Sequence, residues 1–259
     1  MKNLKKRWGL QGELTTKQLV TLVILIVSFI IILFLIFRLN LGGTTDREIC
    51  HNSVVLRDKA TSIVGELDCK TNYLCISGRK DCEDITPTQT IRIDTSKIDK
   101  ATKKEIMKVI AEEMSDCWWQ FGEGKADYLG ISDKNPWGKN SCAICSIVEF
   151  DKEILDKNYK ITYREFYEYL LSYKKGDKTY FSYLYDSNNI NHFQNDISYL
   201  KIDIDKNFIV EEGEYAIVTG VKSSAIWGLA REDIFYYPYY LKSDSIVSEL
   251  KCTEFITKA

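Results

Sequence analysis

Histidine is almost missing from these 259 residues, with His51 and His192 the only two. That excludes a multi-histidine metal centre, and neither a Gly-x-Ser-x-Gly elbow nor a His-Glu-x-x-His zinc motif occurs. Proline is equally scarce (Pro87, Pro136, Pro238), and no Ser-, Gly- or Pro-rich stretch interrupts the chain, so disorder is expected only in 39–48. There is no Asn-x-Ser/Thr glycosylation site and no internal repeat. Charge is wholly absent from one stretch, 19–37.

That stretch reads LVTLVILIVSFIIILFLIF, broken only by Thr21 and Ser28. As a helix it is about 28 Å long, close to the hydrocarbon thickness of a bilayer. Lys2, Lys5, Lys6, Arg7 and Lys17 precede it against one acid, Glu13, whereas Arg38 and Arg47 behind it sit beside Asp46 and Glu48. The positive-inside rule then keeps the N-terminus in the cytoplasm, and no small-x-small cleavage site follows the apolar core, so an uncleaved signal anchor in the cytoplasmic membrane is expected. The layout is a basic cytoplasmic tail (1–18), a transmembrane helix (19–38) in contact with the lipid bilayer, a linker (39–48) and an extracytoplasmic domain (49–259). A composition shift near Asp151 suggests two lobes.

After Arg38 there are 29 Lys and Arg against 36 Asp and Glu, a formal charge of −7. Nothing concentrates a basic face, so nucleic acid is not an expected partner. All eight cysteines lie beyond the apolar run: Cys50, Cys69, Cys75, Cys82, Cys117, Cys142, Cys145 and Cys252. Their even number outside the cytoplasm points to disulfides, with 105 possible connectivities that the sequence does not choose among.

Three helices stand out: one from Asp46 through Val54, Val55, Ala60 and Val64; one over 102–121 with a Thr102/Glu105 capping box and Ile106, Val109, Ile110, Met114, Cys117 and Phe121 on one face; and one over 162–173 with a Thr162/Glu165 box. Strands are expected at 90–93, 144–150, 199–204, 215–221, 234–241 and 246–255. The uneven spacing favours an α+β fold with a mainly antiparallel sheet and two or three helices.

Chemistry is thin. Cys142-x-x-Cys145 sits in a strand-like context, unlike a thiol oxidoreductase centre at a helix N-terminus, and the other cysteines have loose spacing for zinc, so no metal and no cofactor is expected. The most distinctive stretch runs from Cys117-Trp118-Trp119 through Gly122-Glu123-Gly124 to Asp127. Trp rings beside carboxylates can contact a sugar or a protein, making Trp118, Trp119, Glu123 and Asp127 the candidate binding residues. Glu123 with Asp127 is also a conceivable acid and base pair of a membrane-tethered hydrolase acting on envelope glycans or peptides. The preferred expectation is a binding or assembly module with an envelope protein or glycan partner, because no cluster of activatable groups is visible.

Two resemblances bear on this. Glu13-Leu14-Thr15-Thr16-Lys17-Gln18 before the span, Cys50-His51-Asn52-Ser53-Val54-Val55-Leu56-Arg57, the Cys117-Trp118-Trp119 stretch and Cys142-x-x-Cys145 together resemble uncharacterised membrane-anchored proteins of archaea. That resemblance implies the same topology and an envelope location, and no activity. Lys5-Lys6-Arg7-Trp8-Gly9 and Gly12-Glu13 resemble the signal of type IV pilins, which implies cleavage after Gly9 or Gly12 and a filament subunit. Cutting after Gly12 puts Lys17 at the fifth position, where that family carries Glu.

Overall fold

The structure, a computed structural model, describes residues 16–38, 42–59, 67–126, 128, 140–189, 202–226 and 229–258. It comprises two compact units, Met1–Gly42 and Gly43–Ala259. The first holds helix α1 (Thr16–Arg38). Its window Lys17–Phe34 has a mean hydropathy of 2.6 and buries none of its residues. The two polar side chains bond back along their own helix: Thr21 Oγ1 donates to the Lys17 carbonyl at 2.9 Å and Ser28 Oγ to the Ile24 carbonyl at 2.8 Å. Such back-bonding lets a hydroxyl sit in an apolar surround without losing its acceptor. α1 is a candidate membrane anchor.

The second unit is α+β. Its elements are α2 (Gly42–Lys59), β1 (Asn72–Ser77), β2 (Gln89–Arg92), α3 (Asp99–Gln120), β3 (Asn140–Phe150), α4 (Lys152–Asp156), α5 (Tyr163–Ser172), β4 (Lys174–Lys175), β5 (Lys178–Thr179), α6 (Tyr180–Tyr185), β6 (Tyr215–Ile226), β7 (Leu229–Lys242), α7 (Ile246–Leu250) and β8 (Glu254–Phe255). The main sheet runs β2-β1-β3-β6-β7, with β8 beside the N-terminal end of β3. β1 pairs in parallel with β2 and β3, β8 is parallel to β3, and β3-β6-β7 is antiparallel. The sheet is therefore mixed, which corrects the mainly antiparallel expectation. Parallel neighbours need a long return connection, and here it is the loop after β1 and the segment carrying α3. β3 and the last four residues of β1 are buried almost without alternation, the pattern of strands covered on both faces, whereas the expectation was built on alternation.

α3 packs across β3, β6 and β7, with Ile106, Ile110, Met114 and Cys117 buried on its inner face. It begins a turn before the expected start, at an Ile98 N-cap that lends no side chain. Thr102 instead donates to the Asp94 carbonyl and Glu105 pairs with Lys97, so the capping box expected there does not form. The Thr162/Glu165 box does form and starts α5, which buries Phe166, Tyr167 and Leu170. Tertiary packing decided the other departures: 246–255 is a short helix followed by a two-residue strand, 202–204 form no strand, and β1 carried no signal strong enough to be expected. Residues 60–64 and 199–201 of the expected elements lie outside the described residues. At Gly220, beside an irregularity in the β6-β7 register, a Cβ would come within 2.5 Å of the Ser141 carbonyl oxygen, so β3 and β6 approach as closely as they do only with glycine there.

All eight cysteines are paired: Cys50 with Cys69, Cys75 with Cys82, Cys117 with Cys145, and Cys142 with Cys252. Cys142 and Cys145 share β3, where three residues span about 10 Å, too far for a mutual bond. Each bonds a different element: Cys145 ties α3 to the sheet and Cys142 ties down the C-terminal segment. Four disulfides indicate a domain that matures in an oxidising compartment.

Candidate functional site

Trp118 and Trp119 are neighbours on α3, so their side chains leave the helix about 100° apart. Trp118 turns inward, 6% exposed, with its ring 5.7 Å from that of Tyr237. Trp119 turns outward and lies half-buried against α2, its indole stacked on the His51 imidazole with centroids 4.0 Å apart and planes 13° apart. His51 Nδ1 lies 2.7 Å from the Trp119 carbonyl oxygen, which can only accept, so Nδ1 carries the proton. In the neutral ring this leaves the lone pair on Nε2.

Just beyond α3 the chain turns through three consecutive left-handed residues: Gly122 (φ 74°), Glu123 (φ 55°) and Gly124 (φ 70°). A Cβ at Gly122 would meet that of Ala126 at 2.5 Å, so both the backbone angle and the space demand glycine. Glu123 has no such freedom, and a non-glycine residue in this region costs on the order of 1 kcal/mol. Its carboxylate is pinned on both oxygens: Tyr183 of α6 donates to Oε1 at 2.7 Å and Lys125 Nζ to Oε2 at 3.0 Å. Partial burial pushes the Glu123 carboxyl up, but the Tyr183 and Lys125 hydrogen bonds and the Lys125 charge outweigh it and hold the group below the ordinary carboxylate range. Burial and the Glu123 carboxylate push the Tyr183 phenol up in turn.

His51, Val55 and Asp58 on one face of α2, Trp119, and the segment from Gly122 to Ala126 enclose an open pocket of about 370 Å³. Two of the four candidate binding residues, Trp119 and Glu123, thus meet in one place, Trp118 belongs to the core, and Asp127 lies outside the described residues. Sequence reasoning singled out neither His51 as a site residue nor Tyr183, which is 60 residues from the carboxylate it holds.

Comparison with protein-family models, with curated proteins and with solved structures returns no match to this chain. The groups that the pocket offers are the His51 imidazole with Nδ1 engaged by the Trp119 carbonyl, the Glu123 and Asp58 carboxyl groups, Lys125 and an indole edge.

A larger cavity of about 810 Å³ lies at the C-terminal end of β3, lined by Glu83, Asp84, Glu149, Asp156, Glu211 and Glu212 with Lys152 and Lys160. Glu149 is 6% exposed, and burial pushes its carboxyl up. Both of its oxygens are occupied, accepting from the backbone N–H of Asp84 at 3.3 Å and of Ile85 at 3.0 Å, so this carboxylate secures the loop that follows the Cys75–Cys82 disulfide. Among the described residues no three His, Cys, Asp or Glu side chains are arranged to hold a metal ion. The Tyr-rich run at 236–240 supplies an edge strand: Pro238 lies in β7, its carbonyl accepts from Tyr185 and that of Tyr240 accepts from Tyr163. Pairing of that edge with another chain is thereby blunted.

Proposed function

We propose that the chain is a single-pass protein of the cytoplasmic membrane, N-terminus inside, whose disulfide-braced α+β domain stands outside the cytoplasm as a binding or assembly module of the cell envelope. The observation that carries this reading is the pairing of every cysteine in a disulfide, all of them C-terminal to one apolar helix that buries no residue over Lys17–Phe34. The basic residues before that helix support the orientation, and the resemblance to membrane-anchored archaeal proteins fits it. A non-enzymatic role is supported by Glu123, since a general acid works with a raised pKa and this carboxyl is held low by two donors.

Protease added to intact cells is expected to degrade everything after Arg38 and to spare an N-terminal tag. Protection of the C-terminus would refute the topology. Intact mass should retain 1–12 apart from the initiator Met, whereas a mature N-terminus at Leu10 or Glu13 would favour a pilin-like subunit. Hydrolysis of envelope polymers that vanished in Glu123→Gln with the fold intact would favour the tethered hydrolase.

A further inference from the structure

We propose that the pocket between α2 and the end of α3 is a carbohydrate site that takes a neutral, hydroxyl-rich sugar unit of an envelope glycan. The proposal rests on the reading of the domain as a binding module and names where and what it binds. The pocket places acceptors and a donor side by side: Glu123 and Asp58 carboxylates and the His51 imidazole on one hand, Lys125 on the other. A sugar ring meets such a mixture with hydroxyls that donate and accept at will. Val55 and the edge of the Trp119 indole, whose one face is covered by His51, supply apolar surface beside the polar groups, and about 370 Å³ lies within the range of small-ligand cavities.

Other ligand classes fit the groups less well. An anionic unit would meet the Glu123 and Asp58 carboxyl groups and a Lys125 that is already engaged by Glu123. An ammonium would have to displace Lys125, which already holds Glu123 Oε2 at 3.0 Å. The groups are also pre-set. The imidazole is locked between the Trp119 carbonyl and indole, and Glu123 is fixed by Tyr183 from a separate helix on a left-handed backbone that its own side chain does not favour. A carboxylate pinned in a pocket on a left-handed backbone fits a binding constellation, since such backbone outliers cluster at ligand sites and preorganisation lowers the cost of ordering on association.

The test uses the full chain in lipid nanodiscs, free of sugar-based detergent, with chitotriose, mannotriose and maltotriose as neutral probes, polyglutamate as the anionic one and spermidine as the ammonium. Saturation-transfer NMR and calorimetry up to millimolar ligand should detect at least one neutral trisaccharide. Trp119→Ala and Glu123→Gln should each weaken it about tenfold or more, the loss of one charged hydrogen bond or of an aromatic contact, while Lys108→Ala on the exposed side of α3 binds as the parent does. Unchanged melting of Glu123→Gln would separate lost binding from lost fold. Absence of any neutral binder, binding only of polyglutamate or spermidine, or affinity that survives both substitutions would overturn the proposal. Retention of purified envelope material by the parent chain, undiminished in both variants, would overturn this site and leave the binding-module reading standing; no retention by the parent would remove both.

Discussion

Asp151 is the residue whose replacement should be felt most widely for its size. It is 1% exposed, at the junction where β3 ends and α4 begins. One oxygen caps α4 by accepting from the Ile154 N–H at 2.9 Å. The other gathers the loop after β1, accepting from the N–H groups of Gly78 at 3.0 Å, Arg79 at 3.3 Å and Lys80 at 3.2 Å and from the Ser77 hydroxyl at 3.1 Å. Losing a helix cap costs about 1 kcal/mol, and losing a buried charged acceptor about 1.5 to 3 kcal/mol more, tempered here because Arg79 and Lys80 are exposed residues and their hydrogen bonds only part-buried. Asp151→Ala should therefore lose about 3 kcal/mol, a fall in Tm of roughly 6 to 12 °C for a domain of this size. Asp151→Asn should lose about 2 kcal/mol, because its single oxygen serves either the cap or the loop and its NH2 then faces donors. Burial pushes the Asp151 carboxyl up, but the N–H donors and Ser77 outweigh it and hold the group below its ordinary value. Between the folded value and the unfolded one near 3.9, the unfolded chain binds more protons, so stability rises with pH through that window. The contribution is present above about pH 4 and is lost as pH falls through the folded value. The gap between parent and Asp151→Asn in thermal melts should accordingly narrow from pH 6 to pH 2.5. A Tm shift under 2 °C at neutral pH, or a gap that does not change with pH, would refute the reasoning.

Two further perturbations follow from the tie points of the domain. Arg47 of α2 bonds Glu113 and Asp116 of α3, and Glu113, 5% exposed, takes the Ser146 hydroxyl of β3 on its other oxygen; Arg47→Ala strands a buried carboxylate and should cost about 3 kcal/mol in urea unfolding, with a loss under about 1 kcal/mol counting against it. Replacing both Cys142 and Cys252 by Ser opens a loop of 110 residues and should cost about 2 to 5 kcal/mol. Protease should then cut more readily in the segment after Leu250, which keeps only non-covalent ties: the β8 pairing with Ser141 and Cys142 and backbone hydrogen bonds to Cys69, Thr71, Asn140 and Cys142. An unchanged digestion pattern would argue that those ties alone secure that segment.

Legibility differed sharply between elements. The face of α3 could be read from Ile106, Ile110 and Met114 because burial of a helix repeats every 3.6 residues, and α5 from its capping box because both halves lie within one turn. The start of α3 misled because Thr102, which matches a cap by type, is 0% exposed inside the helix and satisfies its hydroxyl on a distant carbonyl. Of the candidate site, the Trp119 and Glu123 half was visible as a dense local stretch. His51 and Tyr183 were not, since each meets the site only through the packing of a separate helix.

What the sequence determined alone is what composition and near-neighbour order control: one uncharged apolar run able to satisfy its own backbone, an acidic cysteine-bearing domain after it, and helices and strands in an α+β order. These depend on transfer of side chains out of water and on local hydrogen bonds, both of which are written residue by residue. Tertiary structure decided what depends on distance: that the strands form a mixed sheet, that Cys142 bonds Cys252 and not Cys145, and that Trp118 enters the core while Trp119 stacks on His51 above a pinned Glu123. A parallel pairing, a disulfide across 110 residues and a carboxylate held from 60 residues away are all fixed by how the chain returns on itself, and no local pattern encodes that return.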